Sequence, residues 1–165
     1  MPILDAPDIL SALSEQDNRL RFARFEHDDA LAVGTRIIEL ARSREQTIST
    51  SVWLGEQLVF QAALAGTSAD NDSWMNRKVA TVRHFDTASL SIMKRLEAYG
   101  VTDPATHRGV DRFAYAFNGG AVPIRIGATQ VGVVVASGVD DYVEHDLVVE
   151  ALDEHLASAR GAAEL

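Results

Sequence analysis

The residues of this chain that are best suited to binding a small molecule lie between Gly66 and Lys78, in the stretch GTSADNDSWMNRK. Within this stretch Asp70, Trp74 and Lys78 follow at intervals of four, which places them on neighbouring turns of one helix. Amide and hydroxyl groups at a helix N-terminus, with cations a turn or two later, can hold a carboxylate or a phosphate. The candidate ligand-binding residues here are Thr67, Asp70, Asn71, Trp74, Arg77 and Lys78.

The same stretch also has a structural interpretation. Ser68 can cap the helix, and Asp70 and Asp72 suit the positive end of its dipole. Trp74 would then be a core residue, and the charges would form ion pairs between neighbouring turns. Because aspartates already occupy the position where an anion would sit, the spacing alone favours this structural role.

A second candidate is the pair Gly119-Gly120, which follows Asn118 and precedes Pro123. Paired glycines let a backbone approach a ligand closely, or they simply make a tight turn. We add Gly119 and Gly120 to the candidate ligand-binding residues, with both interpretations open.

The five histidines show no HxxxH or HExxH spacing, so the sequence predicts no preassembled zinc site. A heme iron needs only one axial imidazole. His145, which lies between two acidic residues near the start of a helix, is the first candidate for that role, and His84 is the second. A surface or core position is the alternative for each of them. The sequence has no nucleophile elbow, P-loop or dinucleotide fingerprint, which disfavours nucleotide-dependent chemistry.

The composition predicts one cytoplasmic domain spanning residues 1–165. Hydrophobic content of 47% and charged content of 24% are ordinary for a globular protein. A net charge of −9 argues against nucleic-acid binding, which needs a basic face. The absence of cysteine excludes disulfides, thiolate catalysis and covalent c-type heme attachment. No apolar run approaches the roughly 20 residues of a membrane span, so no membrane partner is expected.

Periodicity predicts the elements that must position these residues. Apolar residues at steps of three and four indicate one long helix from about 68 to 96, ended by Gly100. Other helices are expected over 8–21, from 27 onward, and over 140–160. Gly34 inside the second helix implies a close packing partner. The predicted strands of a five-stranded, mainly antiparallel sheet are 48–53, 58–64, 113–118, 121–126 and 130–138, with 20–25 as a short edge strand. Gly55-Glu56 would form a type II′ hairpin turn.

Three segments together resemble the heme-degrading-domain proteins of the HbpS/GlcG-like group. They are GTSADNDSWMNRKVATVRHF, FNGGAVPIRI and VGVVVASGVDDYVEHDLVVEAL. The first segment is similar to the signature G-T-x-x-D-N-x-x-W-x-x-R-K of an uncharacterised bacterial and fungal branch of that group. The likeness runs from about Phe25 to Leu156. Relatives often have GGFPI where this chain has the longer sequence GGAVPI.

The resemblance implies a profilin-like α+β sandwich, a homo-oligomer, and binding of heme or a related tetrapyrrole. In this hypothesis the pocket forms around the signature residues and the Gly119-Gly120 turn. Arg77 and Lys78 would meet ligand carboxylates such as heme propionates, while Trp74 supplies an apolar wall.

Two alternatives to this binding function stay open. One is an enzyme on a small anionic substrate with His145 or Asp70 as general base. The other is an assembly protein in which the cluster lies at a subunit interface.

Overall fold

The computed structural model describes residues 1–163, which form an α+β fold with a four-stranded antiparallel sheet. A short 3-10 turn at Ile3–Asp5 precedes the first helix. The helices are α1 (Ile9–Arg19), α2 (His27–Ser43), α3 (Ala69–Phe85), α4 (Ser89–Ala98), α5 (Pro104–Arg108) and α6 (Asp141–Ala163). The strands are β1 (Ser49–Leu54), β2 (Gln57–Ala63), β3 (Ala121–Ile126) and β4 (Thr129–Ser137).

The strand order is β2-β1-β4-β3, and every neighbouring pair is antiparallel. Both sequential pairs are hairpins, and Gly55 takes the positive φ that the predicted first hairpin turn requires. The run of valines in β4 was predicted to be central and covered on both faces. This is confirmed, because β4 lies between β1 and β3 and Val133 to Ala136 are all buried.

The two faces of the sheet are covered by different helices. Val134 and Ala136 of β4 pack with residues of α2 and α6 in the main core. Val133 and Val135 point the other way and pack against Met75, Val79 and Val82 of α3. The predicted close partner of Gly34 is Phe60 of β2, whose ring occupies the space that a Cβ at position 34 would take.

The prediction of five strands is wrong, because the segment 113–118 is not a strand. Its backbone is bonded to α3 instead: Ala116 N–H donates to Arg77 O at 3.2 Å, and Ala116 O accepts from the Thr81 hydroxyl at 2.8 Å. Tyr115 and Phe117 both join an apolar cluster with α4. The alternating aromatic residues of this segment therefore pack on helices and do not indicate a strand. The segment 20–25 forms only one bridge, from Phe22 to Ile126.

The prediction of one uninterrupted helix up to residue 96 is also wrong, because the stretch divides into α3 and α4. Asp86 adopts a left-handed conformation with φ of 49°, which ends α3. The guanidinium of Arg125 fixes this conformation by donating to Asp86 O at 2.7 Å and to Asp86 Oδ1 at 2.8 Å. Ser68, Gly100 and the first-turn aspartates of α3 are placed as predicted. The short helix α5 lies within residues 100–111, for which the glycine, proline and aspartate content predicts a loop.

Candidate functional site

An open pocket of about 270 Å³ lies where the first half of α3 meets the end of β4 and the start of α6. We call it the α3 pocket. It brings together four of the predicted ligand-binding residues with six others that come from more distant parts of the chain. The lining residues are Asp70, Asn71, Trp74, Lys78, Asn118, Ser137, Gly138, Val139, Asp141 and Glu144.

A buried ion pair between Lys78 and Glu144 forms the floor of this pocket. The two side chains are only 3% and 2% exposed, and the Lys78 ammonium donates to Glu144 Oε2. The same ammonium donates to Ala136 O at 3.3 Å. A buried charge is tolerated only when it is paired and hydrogen-bonded, which accounts for this set of contacts.

The Glu144 carboxylate is also held by the backbone at the end of β4. Its Oε1 accepts from the N–H groups of Gly138 at 2.6 Å and Val139 at 3.0 Å. Burial raises the pKa of the Glu144 carboxyl above its ordinary value, while the Lys78 ammonium and these two N–H groups act in the opposite direction. Glu144 therefore fixes the α6 start to both α3 and β4.

The beginning of α3 is organised by a capping box. The Ser68 hydroxyl accepts from Asp70 N–H at 3.3 Å, and Asn71 Oδ1 accepts from Ser68 N–H at 2.9 Å. Thr67 donates its hydroxyl to Leu64 O at 2.7 Å and does not line the pocket. Asp70 is exposed at the rim. Thr67 therefore has a local structural contact, whereas Asp70 and Asn71 face the pocket.

Trp74 and Arg77 are stacked on each other. The guanidinium carbon of Arg77 lies 4.0 Å from the centroid of the Trp74 ring, and Arg77 Nε donates to Ser73 O at 3.4 Å. Trp74 lines the pocket and Arg77 does not. The structure thus places the Arg77 cation against the indole ring, outside the lining of the cavity.

Gly119 and Gly120 lie behind the α6 side of the pocket. A Cβ at Gly119 would overlap Asp141 O, and one at Gly120 would meet Glu144 Oε2 at 2.8 Å. Gly120 also has φ of 107°, which only glycine adopts without strain. These glycines allow the backbone to approach α6 closely. Next to them, Asn118 Nδ2 donates to Asp141 Oδ2 at 3.0 Å and joins the two sides of the rim.

His145 is not in the α3 pocket. Its ring is 1% exposed, and its Nε2 lies 2.8 Å from Gln16 Oε1 of α1. Burial lowers the pKa of His145 to about 3, with a further contribution from the Arg19 cation. The space beside the ring measures about 10 Å³. An iron ligated at His145 would require this packing to open.

His84 is exposed, and it lies beside two aromatic rings. Its ring centroid is 4.6 Å from that of Phe85 and 5.4 Å from that of Tyr115. Of the two histidines predicted as axial ligands, only His84 is accessible to a molecule in solution. Within residues 1–163, no group of three or more histidine or acidic side chains is placed to hold a metal ion.

Sequence reasoning missed Asp141 and Glu144. One signal for Glu144 was available, because it stands three residues before Leu147 and four before Val148 on the buried stripe of α6. A carboxylate on a buried helix face needs a partner. The sequence did not identify Lys78 as that partner, since the two residues are 66 positions apart.

The sequence comparisons place this architecture in a known family. A family model described as haem degrading protein HbpS-like matches residues 25–153. The chain belongs to the HbpS-like family. A UPF0303 protein of Streptomyces coelicolor is 40% identical over 152 residues, which cover 92% of this chain and 95% of the relative. A UPF0303 protein of Zymomonas mobilis is 36% identical over 89% of this chain and 79% of the relative.

Solved structures confirm the fold of this HbpS-like chain. The Ybr137w protein superposes with a TM-score of 0.84 at 24% identity, over 98% of this chain and 93% of that one. HbpS gives a TM-score of 0.64 at 14% identity, over 82% and 92% of the two chains. A structure described as a PduOC:heme complex gives 0.66 at 13% identity, over 80% and 94%. The shared architecture is the profilin-like α+β fold.

The α3 pocket does not fit heme. Its ten lining residues include no histidine or other side chain among the usual axial ligands of heme iron. Its volume of about 270 Å³ lies just below the range of about 300–1,000 Å³ that is usual for small-molecule sites. Three of its lining residues are acidic, which opposes the approach of propionates.

Among residues 1–163, no helix has the length and apolar character of a membrane span.

Proposed function

We propose that this protein is a homo-oligomeric binding protein whose α3 pocket takes a small polar molecule. The observation that carries the proposal is the buried Lys78–Glu144 pair at the pocket floor. Replacing a buried ion pair with apolar residues is often neutral or stabilising, so such a pair is weak evidence of a purely structural role. Its position under an open, polar cavity supports a role in binding.

Trp74 offers the direct test of this proposal. In a ligand-observed NMR screen of small polar fragments of all charge classes, we expect a subset to bind the wild type. Trp74→Phe should weaken the binding of that subset, because the substitution changes the wall of the pocket.

Trp53→Phe is the matched control for Trp74→Phe. Trp53 is also stacked with an arginine, Arg83, at 5.1 Å, and it lies outside the pocket lining. Fragments that bind equally well to the wild type and to both variants would show that the pocket is not the binding site. No bound fragment at all would count against the proposed function itself.

Heme is the second candidate ligand, through a site other than the α3 pocket. The HbpS-like family is described as haem degrading, and a related fold is described in complex with heme. On this chain the accessible imidazole is that of His84, between two aromatic rings. The expected cytoplasmic location and the homo-oligomeric state belong to the same proposal.

A hemin titration followed at the Soret band tests the second candidate. If hemin binds, we expect the spectral shift to be lost in His84→Gln and kept in His145→Gln, because only the first ring is accessible. Loss of the shift in His145→Gln alone would show that the α1–α6 packing opens to admit heme. Unsaturable binding by the wild type would eliminate heme as a specific ligand.

A further inference from the structure

The charges around the α3 pocket distinguish between classes of ligand. The Lys78 cation and the Glu144 carboxylate form a buried pair at the floor, and their opposite charges cancel. The two other charged lining residues are Asp70 and Asp141, and both are acidic. The nearby cation Arg77 is stacked on the Trp74 ring and does not line the cavity. The lining is therefore negative overall.

The floor of the pocket adds a requirement for a hydrogen-bond acceptor. A lysine ammonium carries three N–H donors. Among the described residues, Lys78 has two acceptors, Ala136 O and Glu144 Oε2. The third donor is left on a side chain that is 97% buried and lines the pocket, since its exposed fraction is 3%. A ligand oxygen at the floor would satisfy it.

That oxygen is expected to be neutral. A second carboxylate at Lys78 would lie beside Glu144, and like charges in a region of low dielectric repel strongly. A hydroxyl or carbonyl oxygen accepts the same hydrogen bond without this cost. The rim of the pocket favours a cationic group, because the carboxylates of Asp70 and Asp141 attract a positive charge.

We infer that the α3 pocket selects small amines that carry a neutral oxygen acceptor, and that it disfavours carboxylate ligands. This inference rests on the proposed binding function of the same pocket. The oxygen would accept from Lys78 at the floor, and the ammonium would lie between Asp70 and Asp141 at the rim. The indole of Trp74 would contact the apolar part of the ligand.

Three matched probes test the charge preference. Tyramine, tyrosol and phloretate share a phenol and end the same two-carbon arm in an ammonium, a hydroxyl and a carboxylate group. Binding is followed through the indole N–H resonance of Trp74, which Trp53→Phe distinguishes from that of the second tryptophan. We expect tyramine to bind about tenfold more tightly than tyrosol, and phloretate to bind most weakly.

Asp70→Asn should reduce the preference for tyramine over phloretate by about fivefold, because it removes one rim charge. Asp28→Asn is the matched control, because Asp28 is likewise exposed in the first turn of a helix, α2, away from the pocket. It removes the same charge and the same dipole interaction, and it should leave the preference unchanged.

Three other outcomes would contradict the inference. Phloretate binding as tightly as tyramine would overturn the charge preference while leaving a functional pocket. An equal effect of Asp70→Asn and Asp28→Asn would show that only the net charge of the molecule matters. If no probe shifts the Trp74 resonance at millimolar concentration, the ligand class is wrong. The fragment screen, which includes anions, then decides separately whether the pocket binds anything.

Discussion

Lys78 and Glu144 hold opposite charges at a point where their side chains are 3% and 2% exposed. Lys78→Met would leave the Glu144 carboxylate buried with only the N–H groups of Gly138 and Val139 as partners. We expect this substitution to lower the free energy of unfolding by about 3–5 kcal/mol. Urea denaturation at neutral pH measures the change.

Arg44→Met is the control for that experiment, because it breaks an exposed ion pair. The Arg44 and Glu150 side chains are 39% and 38% exposed. The expected loss is about 1 kcal/mol or less, since solvent screens such pairs. Similar losses for Lys78→Met and Arg44→Met would mean that burial of the first pair has no energetic significance.

His145 makes stability depend on pH. Burial lowers its pKa to about 3 from the ordinary value of 6.5. Between these values the unfolded chain binds a proton that the folded chain does not bind, so acid favours unfolding. We expect His145 to contribute about 1.4 kcal/mol of lost stability for each unit that pH falls within this window.

His145→Gln should flatten the stability profile between about pH 3 and 6.5, because glutamine does not titrate there. Chemical denaturation at a series of pH values provides the measurement. His27→Gln replaces an exposed histidine and is the control. A profile that keeps its slope in His145→Gln would assign the acid sensitivity to other groups.

Four of the ten residues that line the α3 pocket could be predicted from sequence because they lie on one helix. Asp70, Trp74 and Lys78 have a spacing that any helix converts into proximity. Asp141 and Glu144 reach the same pocket only through the packing of α6 against β4, and no local pattern encodes that contact. The position of Arg77 outside the lining depends on its stacking with Trp74, which the sequence leaves undetermined.

At the scale of elements, the break between α3 and α4 depends on a long-range contact. The apolar periodicity continues through Asp86, so it predicts an unbroken helix. Arg125, on β3, is 39 positions away and binds both the backbone and the carboxylate of Asp86. Tertiary contacts of this kind override local propensity. The segment 113–118 was mispredicted as a strand for a related reason, because its partners lie on α3 and α4.

Among residues 1–163, two residues other than glycine have a positive φ, and they should respond differently to substitution by glycine. Asp86 and Glu45 have φ of 49° and 55°. Asp86→Gly relieves backbone strain but removes the acceptor for Arg125 and Gln130, so we expect a net loss of about 1–2 kcal/mol.

Glu45→Gly should instead be neutral or stabilising by up to about 1 kcal/mol. Glu45 is exposed, and its side chain has no hydrogen bond to the described residues. Thermal denaturation of both variants measures the difference. Stabilisation of both by a similar amount would show that the Arg125 contact does not hold the break between α3 and α4.

At the scale of the whole molecule, the edge strand β2 is the element most open to association. None of its residues from Gln57 to Ala63 is charged, whereas edge strands are commonly protected by charge. In the proposed homo-oligomer we expect Leu58→Lys, on this strand, to reduce the mass of the particle. Leu58 is 40% exposed, so a lysine there should not disturb the core.

Leu31→Lys is the matched control, because Leu31 is 44% exposed on α2. Size-exclusion chromatography with light scattering gives the mass of each particle relative to the 17.9 kDa chain. A wild-type protein of 17.9 kDa would rule out the homo-oligomer. An unchanged particle in Leu58→Lys would assign its interface to another surface.

The opposite edge of the sheet is closed to such growth. Pro123 in β3 has no N–H to offer, and the segment at Phe22 lies alongside Ile126, where Phe22 N–H donates to Arg125 O at 2.9 Å. A sheet with one unpaired edge strand can pair with one other copy through that strand. In the resulting dimer neither copy has an unpaired edge strand. Strand addition between copies through β2 would therefore end at a two-fold dimer and would not continue into a fibre.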